Sequence, residues 1–331
     1  MQSTVTSKFW RQICSPVIFR KTIVRGTWAT AEAAVETLLQ SREICYLVWR
    51  FTFIINVKGD NRRGLSRLFR TNRGDRMTPR RTLPPNLAKL LARMTSLKLL
   101  KFSIPVDTAP LFEAAFSAAS APLRFESVRG LSTDTSCHFL VQYCPEIRAV
   151  AVDLAARWRH QTIPSETLVL SLIGCSIQFL SLWDCWSSNL TSVVEWFPAV
   201  VQSMPNIVTL QMFHIGHVAL FFKEHLRILR GMKSLKRLEI IAKGGVNFGQ
   251  DIDLQDGAAK TWVIETALAA CRSMEKMLIQ DRFRGQIIYG DYPKTGRLAV
   301  IEEECNLPRP PRHDEDVAGR NCCREEYWEY E

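Results

Sequence analysis

The sequence predicts an α/β solenoid of stacked strand–loop–helix units, and three observations predict it. A short apolar signature recurs, helical patterns separate its copies, and several copies stand about 30 residues apart. The signature is clearest in "MTSLKLLKF" (Met94–Phe102), "CPEIRAVAV" (Cys144–Val152), "MPNIVTLQM" (Met204–Met212), "MKSLKRLEI" (Met232–Ile240) and "CRSMEKMLI" (Cys271–Ile279). Each opens on Met or Cys, passes two small or polar residues, and then places an apolar residue followed by two more at +3 and +5. A short strand entered from a tight turn requires this spacing: the last two apolar residues share one face and the first covers the turn.

Aligned in this way, the triplets are Ile44/Leu47/Trp49, Leu97/Leu100/Phe102, Ile147/Val150/Val152, Ile177/Leu180/Leu182, Ile207/Leu210/Met212, Leu235/Leu238/Ile240 and Met274/Met277/Ile279. Their central residues lie 53, 50, 30, 30, 28 and 39 positions apart. Each of the two longest gaps has room for a degenerate unit, and "APLRFESVRG" (Ala121–Gly130) is a candidate for one. Between the strands, "LPPNLAKLLARM" aligns Leu87, Leu90, Leu91 and Met94 on one helical face, with paired prolines before its first turn. "NLTSVVEWFPAVVQSM" aligns Val193, Val194, Phe197, Val200, Val201 and Met204, interrupted at Pro198. "VALFFKEHLRILRGM" offers Phe222, Leu226 and Leu229 before Gly231, and "TWVIETALAAC" leads into the last triplet.

A lone unit of this kind cannot bury its apolar stripe, whereas stacked units share one core. The pattern therefore follows leucine-rich-repeat logic, with strands lining a concave face and helices covering the convex one. It predicts an irregular horseshoe over residues 27–300, irregular because the Asn or Cys usual after the strand is missing. The competing reading is an α/β domain with parallel strands and no repeat. "GQIIYGDYPKTGRLAVIEE" reads as two strands about a Pro-Lys-Thr-Gly turn, a terminal cap.

Composition sets the outer bounds. The chain has 331 residues, of which 47% are hydrophobic and 23% charged, enough for a large core. Its ten cysteines are scattered and no apolar leader opens the sequence, so reduced thiols in cytoplasm or nucleus are expected. The longest uncharged run, Thr167–Trp183, is 17 residues and holds three Ser, a Gly and a Gln; it reads as buried core, not as a membrane span. The net charge of +10 is concentrated: Lys58–Arg81 carries nine Lys/Arg against two Asp, a solvated loop (58–82) inserted between the first two repeats. With Phe69 as its one aromatic, that loop lacks the stacking residues of a single-strand binder, so nucleic acid is disfavoured as a partner. Residues 301–331 carry ten acids against four Arg and read as a disordered tail.

"SKFWRQICSPVIFRKTIV" (Ser7–Val24) resembles the C-terminal end of an F-box as found in fungal F-box/leucine-rich-repeat proteins. Lys8, Trp10, Arg11, Ile13, Pro16, Phe19 and Arg20 carry the likeness, and residues 1–26 are read as a short helical F-box remnant. The Leu-Pro-x-Glu start of the box is missing, so the box is expected to be truncated. The resemblance implies a substrate receptor of an SCF-like ubiquitin ligase, with Phe9, Trp10, Ile13 and Pro16 docking on the Skp adaptor. A repeat scaffold with no ligase role is the alternative. A protein target would lie on the concave face, at Lys98, Lys101, Arg148, Gln178, Gln211, Lys236 and Glu239, which with Ser181 and Thr209 are expected to be solvated strand residues.

Catalytic motifs are scarce. "HIGH" (His214–His217) matches the ATP-binding signature of class I aminoacyl-tRNA synthetases and other nucleotidyltransferases, and carries a remote alternative reading as an enzyme of that kind. "GMKS" (Gly231–Ser234) is a poor stand-in for their Lys-rich loop. His214, His217, His225 and Glu224 lack a third zinc ligand at known spacing, as do Cys137, His138 and Cys144. The expectation is a non-enzymatic interaction protein with no cofactor and no metal.

Overall fold

The computed structural model describes residues 14–55, 78–119, 122–152, 165–182, 201–213, 229–242, 265, 268–281, 286–291 and 299–304. The chain divides into two compact units, Met1–Ile147 and Arg148–Glu331.

In the first unit four strands run parallel and in sequence order: β1 (Lys21–Gly26), β2 (Arg50–Ile55), β3 (Leu99–Ser103) and β4 (Gly130–Thr133). Helices return the chain between them: α1 (Trp28–Gln40) and the short α2 (Arg42–Cys45) after β1, α3 (Leu83–Arg93) after β2, and α4 (Ala109–Ser117) after β3. A 3-10 segment, Thr135–Tyr143, follows β4. Each start has a local cause. Gly26 ends β1 at φ +147°, a backbone that L side chains rarely adopt, and Thr27 then caps α1 by accepting from Thr30 N. In α3, Pro84 and Pro85 stand inside the first turn, where a missing N–H costs nothing. Leu87, Leu90, Leu91 and Met94 are buried as their spacing predicts.

The register moves the first triplet. Arg50 pairs with Leu99, so Val48, Phe51 and Phe53 occupy the positions of Leu97, Leu100 and Phe102, and Cys45 occupies that of Met94. Val48, Phe51 and Phe53 are buried, whereas Ile44, Leu47 and Trp49 are only partly so. The run 44–55 is apolar enough to satisfy the spacing twice, and the backbone decides: Arg20 O accepts from both Trp49 N and Arg50 N. The degenerate unit in "APLRFESVRG" exists, with Phe125, Val128, Leu131 and Thr133 in the repeat positions and all buried. A further strand, β1, lies within the segment expected to be an F-box helix. Among the described residues of that segment helix covers 14–18, and Thr22 and Val24 then alternate with Lys21, Ile23 and Arg25, a strand period that pairs with β2. The basic segment consequently lies between β2 and α3, in the second unit of the stack; residues 56–77 fall outside the described residues.

In the second unit β5 (Ala149–Val152), β6 (Phe179–Leu182), β7 (Thr209–Phe213), β8 (Arg237–Ala242) and β9 (Lys276–Asp281) are parallel, with matching residues 30, 30, 28 and 39 positions apart. β10 (Gln286–Asp291) and β11 (Ala299–Glu304) continue antiparallel, the two strands read from "GQIIYGDYPKTGRLAVIEE". The helix α5 (Ser165–Ser171) leads into the uncharged run and buries Leu168. Leu172, beyond its end, is buried too, and helical residues are also described at 201–203, 229, 265 and 268–270. Among the described residues no helix is long and apolar enough to cross a membrane.

One backbone device repeats in both units. The Met, Cys or Phe at positions 94, 125, 144, 204, 232 and 271 accepts a hydrogen bond from the residue three positions on, as in Leu97 N to Met94 O, Val128 N to Phe125 O, Ile207 N to Met204 O and Met274 N to Cys271 O, whereas ahead of β2 the bond runs from Leu47 N to Ile44 O. That is a β-turn, and Pro145 and Pro205 sit at its second position, where a fixed φ favours it. The residue before each strand then gives its carbonyl to two N–H groups of the next unit. In this way Trp49 O meets Lys98 N and Leu99 N, and Gln178 O meets Val208 N and Thr209 N. These bonds fix the register, so each apolar triplet lies directly over the next.

The rungs are filled differently. In the first unit Phe53 stacks on Phe102 at 5.4 Å, both meet Phe112 of α4, and Trp28 of α1 stacks on Phe112 at 5.9 Å. In the second the buried positions are Ile177, Leu180, Leu182, Met204, Ile207, Leu210, Met232, Leu235, Leu238, Met274 and Met277. Full burial of such side chains contributes about 1.5–3 kcal/mol each.

Candidate functional site

With alternate strand residues committed to the core, the others form rows on the opposite face of each sheet. In the first unit that face carries Lys21, Ile23 and Arg25 of β1, Arg50, Thr52 and Ile54 of β2, Leu99, Lys101 and Ser103 of β3, and Gly130 and Ser132 of β4. The register aligns Ile23, Thr52, Lys101 and Ser132 in one row. None of the four strands contains Asp or Glu, so the row's surroundings are basic. A second row precedes the strands: Arg20, Trp49, Lys98 and Arg129, linked by the shared carbonyls. The Arg20 guanidinium lies over the Trp49 ring at 5.0 Å, and Arg129 Nη1 donates to Glu126 O and stands 3.8 Å from Glu146.

Exposure varies sharply along the first row. Ile23 is 68% exposed and Lys101 half-buried, while Thr52 and Ser132 are 7% and 6% exposed. Ser132 Oγ is buried and has no hydrogen-bond partner among the described residues. A buried hydroxyl without a partner forfeits a bond of about 1 kcal/mol and is uncommon in native folds.

In the second unit the equivalent row is Ala151, Ser181, Gln211, Glu239 and Leu278. All five are buried. Gln211 Nε2 donates to Glu239 Oε2, and Arg237, on the same face of β8, forms a close ion pair with Glu239 Oε1. Both carboxylate oxygens therefore have cationic or N–H partners, the condition for keeping a charge out of water. In the row before the strands, Lys236 and Glu275 pair at 3.0 Å on the exposed rim.

These geometries sort the sequence candidates. Gln211, Glu239 and Ser181 are not solvated: burial corrects that expectation for all three, and a hydrogen bond brings Gln211 and Glu239 together. Arg148, Gln178 and Lys236 are exposed, Arg148 and Gln178 are joined through backbone bonds of the carbonyl series, and Lys98 and Lys101 are half-buried. Pro16 is exposed in the helical turn at residues 14–18, beside Val17 and Ile18 at 76% and 64% exposure. Phe9, Trp10, Ile13, the "HIGH" segment and His225 lie outside the described residues. Sequence reasoning missed Arg20, Trp49, Arg50, Thr52, Ser132 and Arg237. Placing the first triplet at Cys45-x-x-Val48-x-x-Phe51-x-Phe53 is the signal that finds Arg50 and Thr52.

Three of the described thiols are pushed toward their protonated form. Burial pushes the Cys137 thiol well up, helped by the Asp134 carboxylate, and Ser136 opposes the rise only in part. Burial likewise raises Cys45, against the pull of Arg93, and raises Cys175. The six described cysteines are free. Among the described residues no group of three His, Cys, Asp or Glu is placed to hold a metal.

No family model matches the chain, and no curated protein matches it. Solved structures do: one is a leucine-rich repeat-containing protein, LegL7, from Legionella pneumophila, at TM-score 0.37 and 14% identity, over 80% of this chain and 73% of that one. A likeness at that level carries no argument about function.

Proposed function

We propose that the chain is a non-enzymatic protein-interaction module, an irregular leucine-rich-repeat stack whose strand faces hold a protein partner. One observation carries the reading: in-register parallel strands present their alternate side chains as ordered rows, in a sheet built by repetition. Such a surface positions a partner without transforming it. Within that reading, the likeness of Ser7–Val24 to the end of an F-box makes the partner a target for ubiquitin transfer. Phe9, Trp10, Ile13 and Pro16 then contact the Skp adaptor in cytoplasm or nucleus.

The test is capture of purified Skp adaptor by the full chain. Binding is expected, and a combined Phe9→Ala, Trp10→Ala, Ile13→Ala variant is expected to lose it. No capture by the unaltered chain removes the ligase role and leaves the scaffold. That second reading has its own support, since β1 uses Lys21–Gly26, part of the F-box-like segment, for the sheet.

A further inference from the structure

We propose that Thr78 is a phosphoacceptor for a proline-directed protein kinase, and that its phosphate competes with Glu32 for the Arg80 guanidinium; this goes beyond the interaction-module reading and does not depend on it. Thr78-Pro79-Arg80-Arg81 closes the basic segment just ahead of α3. The sequence holds two Ser/Thr-Pro pairs, Ser15-Pro16 and Thr78-Pro79. Three positions after the hydroxyl stands Ile18 in the first and Arg81 in the second, so a kinase that takes Pro at +1 and a cation at +3 tells them apart. The backbone separates them too. Ser15 is half-buried inside the helical turn at residues 14–18, and its carbonyl accepts from Phe19 N. Thr78, Arg80 and Arg81 are exposed, and Pro79 disfavours the helical region for Thr78, which leaves the acceptor free to lie extended in a kinase cleft.

The kinase moves the γ-phosphoryl group of ATP. The bond from Thr78 Oγ1 to phosphorus forms, the bond from phosphorus to the β,γ-bridging oxygen breaks, ADP leaves with that electron pair, and the hydroxyl proton passes to the kinase's base. The product carries a charge of about −1.5 to −2 and three acceptor oxygens. The cation beside it already holds a carboxylate. Arg80 N donates to Glu32 Oε1 at 2.7 Å, and Arg80 Nε lies 3.2 Å from Glu32 Oε2. Glu32 is buried on α1, and Arg80 O accepts from Leu83 N in the turn that enters α3, so this contact ties one helix to the start of another. Two residues span at most about 7 Å, which puts a phosphate on Thr78 within reach of the Arg80 side chain. A phosphate takes a guanidinium in charge-assisted, bidentate bonds. Drawing the guanidinium away removes the cation paired with a buried carboxylate, which is destabilising. Phosphorylation therefore loosens the tie between α1 and α3.

The full chain is incubated with ATP and a purified proline-directed kinase, the phosphate is placed by tandem mass spectrometry, and thermal melting is followed by circular dichroism before and after. Phosphate on Thr78 is expected, with kcat/KM lowered about tenfold in Arg81→Ala, the loss of one charge-assisted contact to the kinase. The phosphorylated chain is expected to melt about 2–4 °C lower. Glu32→Gln keeps an acceptor for Arg80 N but no charge for the guanidinium, so its melting temperature is expected to be equal with and without the phosphate. Phosphate on Ser15 or Thr82 in place of Thr78 overturns the proposal, and so does an unchanged rate in Arg81→Ala. A melting temperature that phosphorylation leaves unchanged or raises overturns the competition for Arg80. An equal fall in Glu32→Gln overturns it as well.

Discussion

The two units solve one packing problem with different side chains. Both stack a β-turn, a short strand and a buried triplet, and both lock the register with a carbonyl shared between two N–H groups. The first fills its rungs with Phe51, Phe53, Phe102, Phe112 and Trp28; the second with Leu180, Leu210, Leu238, Met277 and their neighbours. Aromatic rungs interlock across helix and sheet and tolerate unequal unit lengths, since matching residues of the first unit are 29, 49 and 31 positions apart. Aliphatic rungs repeat at 30, 30 and 28 positions from β5 to β8 and then at 39 from β8 to β9. The opposite faces differ as well. A basic, partly exposed row in one unit corresponds to a buried row centred on Glu239 in the other.

The largest expected effect breaks the aromatic side of this contrast. Phe53 meets Phe51, Phe102 and Phe112 and is fully buried. Phe53→Ala should destabilise by about 4 kcal/mol, lost burial and an unfilled cavity adding to lost ring contacts. Leu210→Ala, equally buried, should cost about 3 kcal/mol. Urea denaturation measures both; a loss below about 1 kcal/mol for Phe53→Ala would mean that the rings do not hold the first unit together.

The face rows come next. Glu239→Ala removes the acceptor of Gln211 and the carboxylate paired with Arg237. Breaking a buried pair costs about 3–5 kcal/mol, but the Arg237 side chain is 27% exposed and water can recover part of that. About 2 kcal/mol is expected, against under about 0.5 kcal/mol for Lys101→Ala on the half-buried basic row. Equal losses at the two sites would erase the difference between the faces.

How much of this was legible follows from the same contrast. From Ile147 to β9 every strand was found by triplet spacing, because each aliphatic triplet has one alignment even where the interval widens to 39 positions, and β10 and β11 were found by the turn between them. In "ICYLVWRFTFII" the apolar run admits two, and only the bond from Trp49 N to Arg20 O selects the right one. β1 was hidden for another reason: Phe19, Thr22 and Val24 hold a polar residue at the central core position, while Trp10 and Pro16 drew the segment toward a helix. The burial of Gln211 and Glu239 was not readable at all. Single strands give the face a residue occupies, but the pairing that neutralises Glu239 joins β7 to β8 across 28 positions.

Alkaline pH separates the units by their thiols. The raised pKa values of Cys45 and Cys137 in the first unit, and of Cys175 in the second, mean that the folded chain holds protons that the unfolded chain releases. The stability tied to each thiol is therefore complete below the ordinary thiol value of 9.0 and is lost as pH rises from there through the raised one. Cys137, the fully buried one, removes at most about 1.4 kcal/mol per pH unit in that window. Between pH 9 and 10 the difference in urea midpoint between the unaltered chain and Cys137→Ala should narrow by that order; a constant difference would show that Cys137 does not feel its burial.

The smallest effect probes what the units share. Ser127 Oγ donates to Leu97 O at 2.9 Å, and Ser273 Oγ donates to Leu235 O at the same distance. Each serine is the third residue of its β-turn, and each acceptor is the first triplet residue of the preceding repeat. Aromatic and aliphatic units thus carry one identical side-chain tie from turn to turn. Ser127→Ala and Ser273→Ala should each cost about 1 kcal/mol. Ser273 should sit slightly higher, because its hydroxyl also lies 3.3 Å from Met232 O. Threonine at either position keeps the hydroxyl and should recover most of the loss. If only one alanine variant destabilises, the turns of the two units are held by different means, and the repeat is shared in backbone alone.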